Sequence, residues 1–200
     1  AQEPGNADFR YALASLAAGQ NRWKDARTQA LRLIRDHPHD AEEDIAWKLI
    51  AHVGQEAAKV LEPVYEKTNC HKGFLCLQVN PKNYRNAERM LEQGKQLASL
   101  APNIAIKAPA TQVGLETVEA LTAANIRVNV TVSFSVPQAV AAAEAIERGL
   151  KKAENADSIH PYVTIMVGRM DDQLKRICES EGIDADSEAI EWGGVAVFKK

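Results

Sequence analysis

The chain has few cysteines, no excess of positive charge and no long hydrophobic run, and each absence excludes a class of protein. Cys70, Cys76 and Cys178 lack the C-x-x-C or Cys/His spacing of a zinc site, which indicates a reducing compartment. His37 and His39 lie in a polar turn and are expected to be solvated, so no metal is predicted. The net charge of −3 offers no basic field to nucleic acid or anionic lipid. No apolar run approaches a membrane span and no signal-peptide pattern is evident, so we expect a cytoplasmic protein without a membrane partner.

The first third of the chain is predicted to be helical. A helical pattern extends from Asp8 to Lys67, with interruptions at residues 19–21 and 37–40, and no strand is evident there. The last helix of this segment has a start signal in Asp40 and Glu43, and Pro63 is expected to bend or restart it. The apolar face predicted for this helix comprises Ile45, Leu49, Ile50, Val53 and Ala57.

From Gly73 onward, strands and helices alternate. The predicted strands are 74–79, 104–107, 126–132 and 162–167, and the predicted helices are 84–99, 114–124, 136–152 and one from Asp171. A capping box from Ser135 to Gln138 starts the third of these helices. Four βα units in succession predict a parallel sheet, open or closed, with helices outside it. We expect one structural domain, in which a helical segment (residues 1–69) packs on central βα units (residues 70–200).

The second predicted strand carries a lysine, Lys107, at its carboxyl end. Pro109 follows and has no N–H for a sheet ladder, so the strand is predicted to end at or just past Lys107. A neutral amine in this position can attack a carbonyl group and form a Schiff base. The alternative is an unreactive lysine whose stem lies along the sheet while its head stays in water.

Polar side chains mark the ends of the other three strands as well. They are Gln78 and Asn80, then Asn129 and Thr131, then Thr164 followed by Arg169. Because side chains alternate along a strand, Asn129 and Thr131 are expected to share one side of their strand, and Cys76, Gln78 and Asn80 one side of theirs. Functional residues of parallel sheets collect at the carboxyl ends of the strands. A functional site around Lys107 is therefore favoured, and a hydrogen-bonded polar layer in the core is the alternative for Asn129.

Longer stretches of the sequence resemble one known family. Residues 103–111 (NIAIKAPAT), 113–115 (VGL) and 126–131 (IRVNVT), with Phe134 and Ser135, look like the Schiff-base segment and next strand of the transaldolase family. Residues 61–65, 73–81, 164–172 and 191–200 are similar to that family in the same order. The similarity extends from about residue 41 to the end, and the chain is identified as a member of that family.

The resemblance implies an α/β fold of the (β/α)8 TIM-barrel type, incomplete in this chain, with a helical N-terminal segment. It also implies that Lys107 forms an imine with a ketose phosphate, cleaves the C3–C4 bond and passes a dihydroxyacetone unit to an aldose phosphate. The substrate-binding residues that it implies are Cys76, Asn129, Thr131, Thr164 and Arg169, of which the last holds the sugar phosphate. No metal or other cofactor is implied, because the protonated imine is itself the electron sink. Sugar phosphates are the expected partners.

Two residues depart from the family pattern. Gln78, the second catalytic candidate, stands where transaldolases have a glutamate that activates a water during imine formation. An amide can orient a water but cannot accept its proton at neutral pH. The small fructose 6-phosphate aldolases of the same superfamily resemble this chain in having glutamine there, so cleavage without transfer is the alternative reaction. Met166 replaces an aromatic residue near the arginine and is expected to offer no useful polar atom.

The family barrel has eight strands, and four are evident in this chain. By resemblance, two strands precede residue 1 and two follow Lys200; these strands supply an aspartate for the C4 hydroxyl and an asparagine for the imine. The helical pattern also stops at Lys199 and Lys200 without a cap, so we expect a fragment of a longer protein. A non-catalytic fragment that binds sugar phosphates is the other interpretation, and exposed sheet edges favour a homo-oligomer.

Overall fold

This computed structural model describes residues 42–199 and, before them, the helical residues Lys24, Thr28, Arg32 and Arg35. The rest of the helical pattern predicted before residue 42 lies outside the described residues, as do its interruptions, the turn with His37 and His39, and the start signal at Asp40. Among the helices that are described, none has both the length and the apolar character needed to cross a membrane.

Residues 42–199 contain seven α-helices and four strands. In chain order these are α1 (Glu42–Lys67), β1 (Leu75–Gln78), α2 (Ala87–Ala98), β2 (Ile104–Pro109), α3 (Gln112–Ala123), β3 (Val128–Ser133), α4 (Val136–Leu150), β4 (Tyr162–Ile165), α5 (Gly168–Glu181), α6 (Ser187–Glu191) and α7 (Gly193–Lys199). Single 3-10 turns at Pro81–Asn83 and Ala156–Ser158 precede α2 and β4. The four predicted strands are all present, which confirms the α/β class.

The strands are parallel, and each pairs with its neighbour in sequence, so their order in the sheet is β1-β2-β3-β4. Right-handed crossovers between successive parallel strands place the connecting helices on one face. Helix α3 packs against both α2 and α4 on that face. The arrangement is that of a barrel wall, since doubly wound sheets reverse their strand order and carry helices on both faces. Four strands are half of an eight-stranded barrel, so closure of the barrel stays a prediction.

The hydrophobic core lies between the sheet and its helices. Ile106, Val128 and Val130 of the sheet are fully buried there beneath Val118 and Leu121 of α3. Because successive side chains of a strand point to opposite faces, the residues that alternate with these apolar ones project from the other side of the sheet. That second side, here called the lysine face, carries Lys107, Asn129 and the residues in register with them.

The predicted apolar face of α1 is wrong in part. Ile50 and Val53 are 42% and 41% exposed, although Ile45 is buried. The helix instead packs on β1 through small residues: Ala58 is fully buried, and the side chain of Leu77 lies against Gly54. Small residues permit a close approach of helix to sheet, and this approach turns Ile50 and Val53 away from the core.

Several predicted boundaries also differ. Helix α1 continues through Pro63, which lies near its end and removes only one N–H donor. Helix α2 starts at Ala87 because Asn86 caps it, with its side chain accepting from the Arg89 N–H at 2.9 Å. Strand β4 ends at Ile165, and α5 begins at Gly168, ahead of the predicted start.

Strand β2 runs past its predicted end, to Pro109. The N–H groups of Ile106 and Ala110 donate to carbonyls on the β3 side, at 2.9 and 2.6 Å. The backbone N–H and C=O groups of the odd-numbered residues of β2 therefore point toward β1. The last paired residue of β1, Gln78, is opposite Lys107. The missing N–H of Pro109 lies beyond that last pair, so the proline removes no bond from the ladder.

The turn after β2 brings α3 tightly back onto the strand. Thr111 caps α3, and its side chain accepts from the Gly114 N–H at 3.0 Å. A Cβ atom at position 114 would lie 2.0 Å from the carbonyl oxygen of Pro109, so only glycine permits this approach. The end of β2 is thereby held close to the first turn of α3.

The capping box predicted for α4 does not form, although the side chains of Ser135 and Gln138 are hydrogen-bonded at the start of the helix. Gln138 Oε1 accepts from the Phe134 N–H at 2.9 Å and from the Ser135 hydroxyl at 3.4 Å. Ser135 is the N-cap residue, but its side chain accepts no bond from the helix. Gln138 thus bonds the residue before the N-cap and the serine hydroxyl, and neither backbone bond of a capping box joins Ser135 and Gln138.

Candidate active site

Three of the predicted site residues form one row across the sheet. In the parallel register Gln78 pairs with Lys107, and Lys107 pairs with Asn129. Side chains at paired positions project from the same side, so all three lie on the lysine face. Each row member comes from a different strand, and the lysine is flanked by one amide on each side.

Asn129 is oriented by residues from two other strands. Thr164 Oγ1 donates a 2.7 Å hydrogen bond to Asn129 Oδ1. Asn129 Nδ2 donates in turn to Cys76 Sγ at 3.4 Å, which is a weak bond. The amide oxygen therefore points toward β4 and the amide nitrogen toward β1. Cys76 and Thr164 thus belong to the same polar layer as the row.

The lysine itself is half-buried, while Gln78 and Cys76 are exposed. The ion pairs formed within residues 42–199 do not include Lys107. No carboxylate of the described residues is therefore bound to the amine, and a carbonyl compound can approach it without displacing a counter-ion. Exposure of Gln78 leaves room beside the lysine for a water or a ligand.

Thr131 differs from the other predicted ligand-contacting residues because it is buried, with 2% of its surface exposed. Its hydroxyl donates to Met166 Sδ at 3.4 Å, and the Val132 N–H donates to the same sulfur at 3.3 Å. The expectation that Met166 offers no useful polar atom is therefore wrong. The thioether holds the end of β3, a role that sequence reasoning missed because sulfur is a weak acceptor.

The end of β3 is also distorted next to the site. Between the pairs Val130–Val163 and Ser133–Ile165, two residues of β3 lie opposite one of β4, which forms a β-bulge. Val132 within it has a φ of 58°, an uncommon value for a β-branched residue. Bulges of this kind redirect side chains beside functional sites.

Two other polar residues at strand ends lie outside the row. Asn80 is buried and has a structural role, since its Oδ1 accepts from the Lys82 N–H at 3.0 Å and caps the 3-10 turn. Arg169 is exposed in the first turn of α5, directly after β4. Its guanidinium is therefore available at the carboxyl end of the sheet, and no hydrogen bond described for residues 42–199 ties it to the row.

The fold and the site together define a barrel-type α/β protein that presents a lysine between two amides on the strand-lined face. Comparison with known families agrees with this class. The model of the family described as Transaldolase/Fructose-6-phosphate aldolase matches residues 13–200. The chain belongs to the transaldolase/fructose-6-phosphate aldolase family.

Individual relatives carry the same name. A protein named Transaldolase from Thermobifida fusca (strain YX) is 35% identical over 154 residues, which cover 74% of this chain and 38% of that protein. Transaldolase 1 from Streptomyces avermitilis is 33% identical over 140 residues, which cover 67% and 37%. A Transaldolase from Mycobacterium tuberculosis (strain CDC 1551 / Oshkosh) is 30% identical over 148 residues, which cover 71% and 39%. The chain thus spans less than two fifths of the length of these relatives.

Proposed function

We propose that Lys107 forms a Schiff base with a ketose phosphate in a transaldolase-type reaction. The observation that carries this proposal is the row of Gln78, Lys107 and Asn129 on three adjacent strands, in which Thr164 orients the asparagine. Membership of the family and the names of the relatives support it. The reaction, its substrates and the role of each residue are part of this proposal.

Imine formation begins at the lysine. The neutral Nζ of Lys107 attacks the C2 carbonyl carbon, and the resulting carbinolamine takes up a proton from solvent and loses water to give a protonated imine. Gln78 lies next to the lysine, where its amide can hold the departing water. It can donate to and accept from that water but does not take its proton, so the proton must pass through the water or the substrate.

Carbon–carbon cleavage uses the positive imine as an electron sink. The electron pair of the C3–C4 bond moves into the imine and yields an enamine, while the C4 hydroxyl gives up its proton and the aldose phosphate leaves as an aldehyde. The family resemblance implies an aspartate as the acceptor of that proton. Asn129 is bound to Cys76 only weakly, so its amide N–H can turn to a hydroxyl of the substrate.

Arg169 is proposed to bind the phosphate group. Its exposed guanidinium follows β4 at the start of α5, and a guanidinium can bind two phosphate oxygens at once. The first turn of a helix also favours an anion because its N–H groups are unpaired. The phosphate would anchor the end of the sugar that lies away from the imine.

The enamine has two fates. In transfer, its carbon attacks the aldehyde of a second aldose phosphate and a new C–C bond forms before the imine is hydrolysed. In simple cleavage, a proton adds to that carbon and water releases dihydroxyacetone. The amide of Gln78 supports simple cleavage as the alternative reaction, because no carboxylate base stands at that place in the row.

Borohydride trapping tests the proposal. Reduction of the protein in the presence of fructose 6-phosphate should add a sugar fragment to Lys107, which peptide mass spectrometry locates. Lys107→Ala should abolish this label, whereas Lys95→Ala, in an exposed position of α2, should retain it. A label that persists after Lys107→Ala, or its absence from the unaltered chain, contradicts the proposal.

A further inference from the structure

Arg127 lies just before β3, and its side chain turns toward the amino end of the sheet, away from the row. Its guanidinium carbon lies 3.6 Å from the centre of the Phe74 ring, which just precedes β1. Its Nη2 donates a 2.9 Å hydrogen bond to the carbonyl oxygen of Ser158, in the turn before β4. Phe74 and Ser158 both precede strands, so the guanidinium lies at the end of the sheet where its strands begin.

This guanidinium is buried without an anionic partner. Arg127 is 7% exposed, and its Nε has no hydrogen-bond acceptor. The ion pairs of residues 42–199 do not include it. A buried charge is costly unless an opposite charge or a full set of hydrogen bonds compensates for the lost water. One carbonyl and the rings of Phe74 and Tyr65, the second centred 6.0 Å from the guanidinium carbon, supply no opposite charge.

A cavity of about 270 Å³ lies beside Arg127. Tyr65 and Cys70 contribute polar atoms to its lining, and Ile104 and Ile159 contribute apolar walls. A cavity that combines apolar walls with convergent polar groups can hold a ligand, and the modest volume suits a small one.

We propose that this cavity binds a small metabolite with a phosphate or carboxylate group, and that Arg127 is its main ligand-binding residue. Arg127 lines the cavity, and its planar guanidinium matches the geometry of either group. The hydroxyl of Tyr65 and the thiol of Cys70 line the same space and can donate as well. This anion cavity lies at the amino end of the sheet, and it is separate from the substrate site proposed at Lys107.

The titratable groups near Arg127 have pKa values that reflect partial burial and the nearby positive charge. Burial raises the pKa of Tyr65; Cys70 adds to the rise and Arg127 opposes it. The ring of His160 lies 4.3 Å from that of His71. Burial lowers the pKa of His160, and the charges of His71 and Arg127 lower it further. Because Arg127 itself is buried, its charge is weakly screened, which strengthens its attraction for an anion.

Protection of Cys70 from alkylation provides the test. Iodoacetamide labelling of the 200-residue chain, followed by mass spectrometry, should be compared in inorganic phosphate, in malonate and in sodium chloride of equal ionic strength. A bound anion should slow labelling of Cys70 about tenfold when the anion is at about ten times its dissociation constant. The stronger protector, phosphate or malonate, assigns the ligand group.

Two arginine variants separate the anion cavity from the substrate site. Arg127→Gln should abolish the protection, whereas Arg169→Gln should retain it, because Arg169 belongs to the proposed substrate site. Cys178 is buried in α5, so fast labelling of Cys178 in Arg127→Gln would report unfolding. In that event Tyr65→Phe, which removes one polar group of the cavity, should weaken the protection severalfold.

Equal labelling of Cys70 in phosphate, malonate and chloride overturns the proposal. If Arg127→Gln folds, unchanged protection of Cys70 in that variant also overturns the proposal. If Arg127→Gln does not fold, unchanged protection of Cys70 in Tyr65→Phe overturns it instead. Neither result bears on imine formation at Lys107, which borohydride trapping measures independently.

Discussion

Thr164 Oγ1 and Asn129 Oδ1 are joined by a 2.7 Å hydrogen bond between neighbouring strands of the sheet. Because the bond uses the amide oxygen, it holds that oxygen toward β4 and leaves the amide nitrogen directed toward β1. The asparagine is thus aligned before any ligand arrives, and the threonine acts on the site through it.

Removal of this bond should impair activity more than stability. Thr164→Val keeps the shape of the side chain but loses the donor, so we expect about a tenfold fall in kcat/KM as Asn129 loses its alignment. The free energy of unfolding should fall by only about 1 kcal/mol. Thr164→Ser, which retains the hydroxyl, should stay close to the unaltered chain. Equal kinetics of the two variants would show that the bond does not align the site.

Gln78 should decide how protons move beside the lysine. Gln78→Glu places a base in register with Lys107, so we expect the ratio of transfer to simple cleavage to rise. The two products can be separated by chromatography after incubation with fructose 6-phosphate and an acceptor aldose phosphate. Gln93→Glu, a matched change in α2 outside the row, should leave the ratio unaltered. An unchanged ratio in Gln78→Glu would mean that the amide does not determine the reaction.

Asn103 should be essential to stability. The residue is 1% exposed, and its Nδ2 donates to the carbonyl oxygens of Ala58 at 2.8 Å and Gly73 at 3.0 Å, which joins α1 to the start of β2. Asn103→Ala leaves both carbonyls without this donor, so we expect a loss of about 3 kcal/mol in urea unfolding. The exposed Asn155→Ala should change stability by about 0.5 kcal/mol or less. Similar losses in both variants would argue against the role of Asn103.

Stability should fall as the pH decreases through the range of histidine titration. Burial, with the charges of His71 and Arg127, lowers the pKa of His160 from its usual value of 6.5. Below 6.5 the unfolded chain therefore binds a proton that the folded chain resists, which favours unfolding. The stabilising contribution is fully present above 6.5 and is lost as the pH falls toward the lowered value.

Urea unfolding between about pH 7 and about pH 5 measures this effect. His160 has a φ of 45°, which asparagine tolerates, so His160→Asn should fold and show a flatter pH dependence. His52→Asn, in α1, should keep the slope of the unaltered chain. A slope that survives His160→Asn would assign the dependence to other groups.

The sheet edges should promote self-association. Among the described residues, β1 and β4 each pair with a single neighbour, and Tyr162 of β4 is 40% exposed. Unpaired edges offer N–H and C=O groups to another strand. Light scattering should therefore give a mass above 21.9 kDa, and Tyr162→Lys should lower it by placing a charge on the edge. A monodisperse monomer of the unaltered chain would contradict the prediction.

The sequence predicted the order of the strands and helices better than their limits. Alternation in 128–132 and the apolar run before Lys107 depend on neighbouring residues only, so the four strands could be recognised. The end of β2 could not be recognised from the sequence. Pro109 is tolerated in this strand only because the adjacent strand, β1, has already ended there. The buried face of α1 was predicted wrongly for a related reason: close packing at Gly54 outweighs the pattern of large apolar residues.

The sequence by itself determined the α/β class and the placement of Lys107 and Asn129 on successive strands, since both follow from local periodicity and from motifs. Only the tertiary structure decided how Asn129 is turned, because its partners Thr164 and Cys76 lie 35 and 53 residues away in the chain. The same holds for Arg127, which lies within the predicted strand 126–132 and has no distinguishing signal in the sequence. Its burial and its unused donor depend on the residues that the fold assembles around it.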